Sequence, residues 1–432
     1  MRKWFTYSFS NHQLQAKLIA VAAVTDTACV CGGNGKQGFT EELVAGFGIH
    51  SAITSSDQSP SFDALQLFVS STRDWIFGHL SYDLKNEIEK GISSEHHDGI
   101  GFPLLQFFCP KLVVRKKNDS EIEIGGFEGE EEAFQLFQQI RDAEIPETVT
   151  HSPIPIIERT PRADYIKAVE QLKKHIARGD IYETNYCMEF YAPQAELNTA
   201  ALQQKLNALS EAPFAVYYKL QHLHLCCASP ERFMQKKGNT LRSQPIKGTR
   251  RRGNSAEEDE MLRSELLNDA KERCENVMIV DLVRNDLSRS ASRGSVHVPE
   301  LFGIHTFKTV HQMISTVEAQ LAEDVHPVEA IRRAFPMGSM TGAPKLRAMQ
   351  LCEETEHMRR GLYSGAVGYF TPEMDFDFNV VIRSIQYNAQ TGYLSLMAGS
   401  AITAAAQPEA EYEECKLKAA ALLSALGAKN SV

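Results

Sequence analysis

The chain is poor in long hydrophobic runs. The longest apolar run near its start, residues 18–24, is far shorter than the roughly 20 residues that a membrane-spanning helix needs. Nothing around this run resembles a cleavable secretion signal. These absences argue against a membrane-embedded or exported protein, and we expect a cytoplasmic one.

Basic residues are also in the minority. The 432 residues include 45 Lys and Arg against 55 Asp and Glu, which gives a formal net charge of −10. Nucleic acids and anionic membranes bind through basic side chains that neutralise phosphate. The acidic balance therefore argues against both partners, but it is compatible with a small anionic substrate.

The cysteines lack a recognisable pattern. There are nine of them, an odd number, scattered along the chain. Neither Cys29 and Cys31 nor Cys226 and Cys227 have further cysteine or histidine partners at zinc-ligand spacing. We therefore expect reduced thiols with structural roles.

The composition, 43% hydrophobic and 23% charged, is that of an ordinary globular protein. Four prolines between residues 145 and 161 interrupt the chain most clearly, because proline suits neither a helix interior nor a central strand. They divide a β-rich N-terminal region, residues 1–150, from a second region, residues 157–427.

The second region mixes strands with longer helices. Helical periodicity and end signals predict helices over 164–178, 256–282, 346–354 and 408–426. Strand-like runs cover 214–220, 224–228, 240–245, 365–370, 379–387 and 393–398. This strand-rich, helix-flanked order favours the α+β class over a regular βαβ series.

Two pairs of glutamates lie three residues apart in predicted helices. Glu272 and Glu275 form one pair, and Glu411 and Glu414 form the other. Each pair presents its carboxylates on one helix face, and two facing pairs could hold Mg²⁺, which prefers oxygen ligands. Either pair alone is equally consistent with a solvated helix face.

Lys247 and Glu231 are candidates for acid–base or covalent chemistry. Lys247 follows a predicted strand and precedes Gly248; if it is buried near a cation, its neutral amine could act as a nucleophile or base. Glu231 ends another strand-like run, where an apolar setting would keep it protonated as a general acid. The structural alternatives are an exposed turn lysine and a surface ion pair with Arg232.

Two small-residue turns and one arginine could bind carboxylates. Residues 338–345 (GSMTGAPK) precede a predicted helix but do not have phosphate-loop spacing. The turn at Gly399 follows a strand and would allow close approach of a ligand to the backbone. Arg383 lies in an apolar strand, where it either pairs internally or recognises a carboxylate.

Several of these segments together resemble the chorismate-utilising enzymes. The family includes component I of anthranilate synthase and of aminodeoxychorismate synthase, and the isochorismate and salicylate synthases. The resemblance covers about residues 157–425, and the N-terminal region is similar only through residues 78–85 (GHLSYDLK). The matching segments are 229–233 (SPERF), 245–253 (PIKGTRRRG), 275–287 (ENVMIVDLVRNDL), 338–345 and 363–369 (YSGAVGY).

The resemblance implies an α+β fold in which two large antiparallel sheets pack as a sandwich with flanking helices. The active site would lie in the cleft between the sheets. It also implies Mg²⁺ bound chiefly by Glu275 and Glu414, with Glu272 and Glu411 supporting through water.

The resemblance further implies a set of chorismate contacts. The ring carboxylate would meet the cation, amides near Gly399, and Lys418. Arg383 and Tyr369 would hold the carboxylate of the enolpyruvyl arm. Thr341 and His311 would lie close to the ring substituents, with His311 among the catalytic residues beside Lys247 and Glu231.

Lys247 separates the branches of this family. Members that form anthranilate, isochorismate or salicylate typically have alanine there, whereas many that form 4-amino-4-deoxychorismate have lysine. In that branch the amine attacks C2 of chorismate while the acid, here Glu231, protonates the departing C4 hydroxyl. Ammonia then adds at C4 and expels the lysine. The resemblance thus implies a transferase of the p-aminobenzoate and folate pathway.

One position departs from the pattern. Residues 179–183 (GDIYE) end in Glu183, where amidotransferase-linked members usually have glutamine and isochorismate-forming members have lysine. No glutaminase segment is evident in the chain, so we expect a separate glutamine amidotransferase or free ammonium to supply ammonia. The alternatives are the anthranilate-forming branch and a catalytically inactive chorismate-binding subunit.

Overall fold

The computed structural model of the protein describes residues 1–9, 13–33, 43–55, 60–150 and 152–427. Its strands are β1 Lys3–Ser8, β2 Thr27–Gly32, β3 Val44–Thr54, β4 Ile76–Leu80, β5 Leu105–Lys116, β6 Glu121–Gly126, β7 Ile157–Glu158, β8 Glu183–Ala192, β9 Phe214–Leu220, β10 Leu223–Ser229, β11 Arg232–Lys237, β12 Thr240–Gln244, β13 Ile246–Arg251, β14 His297–Thr306, β15 Val310–Gln320, β16 Gly342–Ala343, β17 Ala366–Phe370, β18 Phe376–Asn379, β19 Ser384–Asn388 and β20 Tyr393–Ile402.

The helices cover both regions of the chain. They are α1 Leu14–Val24, α2 Ser61–Thr72, α3 Lys85–Ile88, α4 Glu130–Asp142, α5 Arg162–Arg178, α6 Thr199–Ser210, α7 Ala256–Asn268, α8 Ala270–Ser288, α9 Pro327–Ala334, α10 Lys345–Thr355 and α11 Pro408–Leu426. Two short 3₁₀ helices cover Tyr82–Leu84 and Gly338–Met340. Among the described helices, none is both long and apolar enough to cross a membrane.

The strands form one continuous antiparallel array with two halves. The first half contains β8, β20, β19, β10, β9, β2 and β3 in order of pairing. The second half contains β14, β15, β12, β11, β18, β17, β4 and β5. The long pairing of β3 with β5 joins the halves. Strands from before and after the proline-rich segment thus share one sheet array, and the division into two domains stays a prediction.

The core has three apolar layers. An inner cluster takes side chains from both halves, including Tyr218 and Leu225 from one and Phe77 and Val367 from the other. A direct contact joins the halves where His79 Nδ1 lies 3.2 Å from Tyr218 Oη. Helices α1, α4, α5, α6 and α11 cover one outer face. Helices α2, α8 and α9 cover the other. The predicted α+β class, with packed antiparallel sheets and flanking helices, is confirmed.

The structure corrects two of the predicted elements. The predicted helix 256–282 is two helices, because Asp269 ends α7 and its side chain accepts hydrogen bonds from the first amides of α8, those of Lys271 and Glu272. The predicted strand 379–387 is interrupted between β18 and β19. Arg383 there has a φ of 50°, a left-handed conformation that an extended strand cannot contain.

Candidate active site

Lys247 lies in the second position of β13, where the chain turns. Gly248 follows with a φ of 88°, a conformation that favours glycine. The Lys247 side chain is 13% exposed, and its Nζ lies 3.4 Å from Glu183 Oε1. Burial lowers the pKa of Lys247, but the carboxylates of Glu183, Glu275 and Glu231 outweigh it and raise the pKa. The lysine is therefore a buried ammonium group held among carboxylates.

Glu231 is buried in the tight connection between β10 and β11. Its backbone amide donates to Ser229 Oγ at 3.2 Å, and its carbonyl accepts from the amide of Val380 at 3.0 Å. Burial raises the pKa of Glu231 to about 7, although the charge of Lys247 acts in the opposite direction. A carboxyl group with this pKa carries a proton near neutral pH and can give it to a leaving group.

The two glutamate pairs of α8 and α11 converge on one amine, that of Lys271. Burial lowers the pKa of Lys271, but four carboxylates outweigh it and raise the pKa. These are Glu275, Glu411, Glu272 and Glu414. The acids of both helices therefore act electrostatically on the same amine.

Each of the four carboxylates has a protein partner. Lys418 Nζ lies 2.6 Å from Glu414 Oε1, and Lys271 Nζ lies 3.8 Å from Glu275 Oε1. Arg250 Nη1 lies 3.5 Å from Glu272 Oε1, and the Ser400 hydroxyl donates to buried Glu411.

The pKa values of Glu275 and Glu414 shift in opposite directions. Burial raises the pKa of Glu275. In Glu414 burial acts in the same direction, but the amine of Lys418 outweighs it and lowers the pKa.

Within the described residues, no three carboxylate, histidine or cysteine side chains are close enough together to hold a metal ion. The four acids are nevertheless hard oxygen donors that all act electrostatically on Lys271, and such a donor set fits Mg²⁺. The magnesium site stays a prediction, and its residues fit that ion.

Three of the predicted substrate contacts lie together. Lys418 Nζ donates to the carbonyl of Gly399 at 2.8 Å, and Arg383 Nη1 donates to the backbone carbonyl of Lys418 at 3.4 Å. A larger residue would not fit at position 399 without movement of its neighbours, since a Cβ there would lie 2.7 Å from Asn185 Nδ2. Burial lowers the pKa of Arg383. This cluster of two cations beside a glycine strand can receive a carboxylate.

Tyr369 packs in the inner core, and its contact with the enolpyruvyl carboxylate stays a prediction. Its ring packs 5.6 Å from Trp75 and 5.9 Å from Phe77, in the inner core. Tyr363 is the buried tyrosine that interacts electrostatically with Arg383. Both tyrosines belong to the same short motif, so the motif alone did not distinguish them.

Thr341 and His311 are fully buried and engaged with protein groups. The Thr341 hydroxyl donates to the carbonyl of Gly338 at 3.2 Å. His311 Nε2 lies 2.9 Å from Asp259 Oδ1, and its Nδ1 lies 2.9 Å from Thr306 Oγ1. Both ring nitrogens of His311 are therefore occupied in this structure, and its catalytic role stays a prediction.

Three further residues belong to the site although their sequence signals were weak. Lys271 is four residues before Glu275, a spacing that predicts a helical ion pair. Tyr363 gives no local signal beyond its motif. Glu183 differs from the family pattern, and that departure was its only sequence signal; its contact with Lys247 is visible only in the structure.

The fold and this site define a class of enzyme. The profile of the family described as chorismate binding enzyme matches residues 14–424. The chain therefore belongs to the chorismate-binding enzyme family.

Relatives from two branches of the family are similar in sequence. The probable aminodeoxychorismate synthase, chloroplastic, of Oryza sativa subsp. japonica is 42% identical over 269 residues, which are 62% of this chain and 30% of the relative. Anthranilate synthase component 1 of Bacillus caldotenax is 34% identical over 375 residues, 81% of this chain and 73% of the relative. The chain thus spans about a third of the length of the rice relative.

Solved structures show the same fold. The crystal structure of anthranilate synthase component I from Streptococcus pneumoniae TIGR4 superposes with a TM-score of 0.76 at 22% identity, covering 97% of this chain and 92% of that one. The similarity extends over the N-terminal region as well as the second region.

Proposed function

We propose that this chain aminates chorismate to 4-amino-4-deoxychorismate, as component I of aminodeoxychorismate synthase does, in the p-aminobenzoate branch of folate synthesis. The observation that carries the proposal is Lys247, a buried amine 3.4 Å from Glu183 and electrostatically coupled to Glu231. The similarity to the rice enzyme supports the same branch.

In the proposed mechanism, Lys247 acts as the nucleophile and Glu231 as the general acid. Lys247 first loses its ammonium proton to bulk water. The free amine then forms a bond to C2, both ring double bonds shift by one position, and the C4 hydroxyl departs as water with the proton of Glu231, which solvent later restores. Ammonia then forms a bond to C4, both ring double bonds shift back, and the electron pair of the C2–Nζ bond returns to Lys247. Covalent catalysis of this kind replaces one difficult substitution with two easier ones.

The anionic groups of chorismate would be held at the other end of the site. Arg383, assisted by Tyr363, faces the enolpyruvyl carboxylate, and Lys418 with the Gly399 backbone faces the ring carboxylate. Glu275 and Glu414 would hold Mg²⁺, with Glu272 and Glu411 acting through water. The ion would supply positive charge opposite the ring carboxylate.

Ammonia is proposed to come from a glutamine amidotransferase partner or from free ammonium. The test is incubation of the purified chain with chorismate, Mg²⁺ and ammonium, followed by chromatography and mass spectrometry of the products. We expect 4-amino-4-deoxychorismate without release of pyruvate. Prompt pyruvate together with anthranilate fluorescence would contradict the proposal.

The second candidate is the anthranilate-forming reaction. It is favoured by the longer match to the Bacillus caldotenax enzyme, which extends over 81% of this chain. Lys247 argues against it, because a lysine nucleophile at C2 would occupy the carbon that anthranilate formation must aminate. The pyruvate measurement distinguishes the two reactions.

A further inference from the structure

Among the described residues, one oxygen of the Glu183 carboxylate has no hydrogen-bond partner. Oε1 contacts Lys247, whereas Oε2 is buried and accepts no hydrogen bond from any described residue. The residue as a whole is 5% exposed. A buried carboxylate oxygen without a donor is unfavourable, because it has lost its hydrogen bonds to water. Glu183 Oε2 is therefore placed to accept a hydrogen bond from a bound ligand.

The backbone holds Glu183 firmly in this position. Glu183 begins β8 and pairs with Ala343 of β16, and the neighbouring amide of Tyr182 donates to the Ala343 carbonyl at 2.7 Å. The next residue along, Gly342, packs so tightly that a Cβ there would lie 2.2 Å from the Glu183 carbonyl oxygen. The free oxygen is thus presented by a fixed strand and not by a loop.

The surrounding charge selects the type of ligand. Three acids, Glu183, Glu231 and Glu275, act on the single amine of Lys247. A carboxylate on the ligand would be repelled here, while a small cation with N–H donors would be attracted. Ammonium has four N–H donors, a positive charge and no acceptor, which complements an acceptor-only oxygen.

We propose that Glu183 Oε2 binds the ammonium ion that provides the amino nitrogen, and that it takes up the proton which ammonium must lose. This inference rests on the proposed function, because it assigns the co-substrate position of that same site. It makes Glu183 a catalytic residue that also holds Lys247 in place.

The proposed step is a proton transfer followed by an exchange of bonds. One N–H bond of ammonium breaks, its electron pair stays on nitrogen, and the proton passes to Glu183. The resulting ammonia forms the bond to C4, while the C2–Nζ bond breaks and leaves its electron pair on Lys247. The protonated carboxyl group of Glu183 then returns the proton to the released amine, and the ion pair between Glu183 and Lys247 forms again.

The test is the steady-state kinetics of Glu183→Gln at fixed pH, with ammonium and chorismate varied separately. We expect the KM for ammonium to rise about tenfold or more, because a charged hydrogen bond is lost. The KM for chorismate should stay within about twofold, since no chorismate contact is removed. Glu318→Gln is the matched control: its carboxylate pairs with Arg242 on β12, and both constants should be unchanged.

Glu183→Asp provides a second variant, which keeps the charge but withdraws the oxygen by one methylene; its KM for ammonium should also rise. An unchanged KM for ammonium in both variants, with an active wild type, would overturn the ammonium position alone. Parallel increases in both constants would also overturn it, because Glu183 would then act only through Lys247. A wild type that forms no aminated product would overturn the proposed function and this inference with it.

Discussion

The site has two ends that are built differently. The lysine end consists of Lys247, Glu231 and Glu183, which are buried and interact with one another. The carboxylate end consists of the four glutamates of α8 and α11, which interact with Lys271, Lys418, Arg250 and Ser400. Exposure differs as well, since the Glu414 side chain is 44% exposed and that of Lys247 only 13%.

This difference indicates which end is ready for chemistry. At the lysine end, each charged group already has an opposite charge among the residues that would react. At the carboxylate end, the negative charge is balanced by Lys271, Lys418 and Arg250, which lie outside the groups that would react. We therefore expect the lysine end to set the reaction type and the carboxylate end to set substrate affinity.

The largest effect is expected from removal of the nucleophile. Lys247→Met keeps the length of the side chain but removes the amine, so kcat for amination should fall about 10⁴-fold, as for loss of other covalent nucleophiles. Lys237→Met, at an exposed position of β11, is the control and should retain full activity. Steady-state assays with saturating ammonium measure both variants.

Glu231→Gln should have the next largest effect. It removes the general acid, and kcat should fall about 10³-fold. In the wild type, the acid form is present below the pKa of about 7, so kcat/KM for chorismate should decline as pH rises through 7. The variant should lack this decline. A pH profile of unchanged shape in Glu231→Gln would show that another group supplies the proton.

At the carboxylate end, Glu411→Gln should have a smaller effect. Glu411 is assigned to support the metal through water, and loss of such a group typically weakens metal affinity about 10–100-fold. The Mg²⁺ concentration for half-maximal activity should rise accordingly, while kcat at saturating Mg²⁺ stays similar. Glu413→Gln, exposed on the same helix, is the control. Equal Mg²⁺ dependence in the two variants would contradict the assigned role.

The smallest effect is expected at the turn that connects the two ends. Gly248→Ala places an alanine in the left-handed backbone conformation and brings its Cβ to 3.2 Å from Glu272. Gly238→Ala also has a positive φ but open space around it. Thermal unfolding should show a loss of about 1–2 kcal/mol in both variants. Only Gly248→Ala should also lower kcat, because it displaces Lys247; equal kcat values would contradict this coupling.

The class of fold and most elements could be predicted from the sequence, because periodicity and proline positions are local signals. The predicted helix 408–426 is α11, and the predicted strand 214–220 is β9. The boundary between α7 and α8 at Asp269 also had a sequence signal, since Asp269 and Glu272 have the spacing of a helix-capping box. The interruption of the strand at Arg383 had no sequence signal, because the left-handed backbone conformation of this residue depends on tertiary contacts.

The sequence indicated which residues belong to the site, but not which of them contact one another. The spacing of the glutamates indicated two acidic faces, but only the structure shows that both act on Lys271. The family motif included both Tyr363 and Tyr369, and packing against Trp75 and Phe77 decides which one lies in the inner core. The unpartnered oxygen of Glu183 depends on contacts across strands, which no local pattern encodes.

The central claim is that the lysine end forms a covalent bond to the substrate. Intact-protein mass spectrometry after rapid quenching of the chain with chorismate and Mg²⁺, without ammonium, tests it most directly. We predict a mass increase equal to chorismate less one water in the wild type, mapped to Lys247 and absent from Lys247→Met. Amination by Lys247→Met at the wild-type rate, with no adduct on the wild-type chain, would contradict the account.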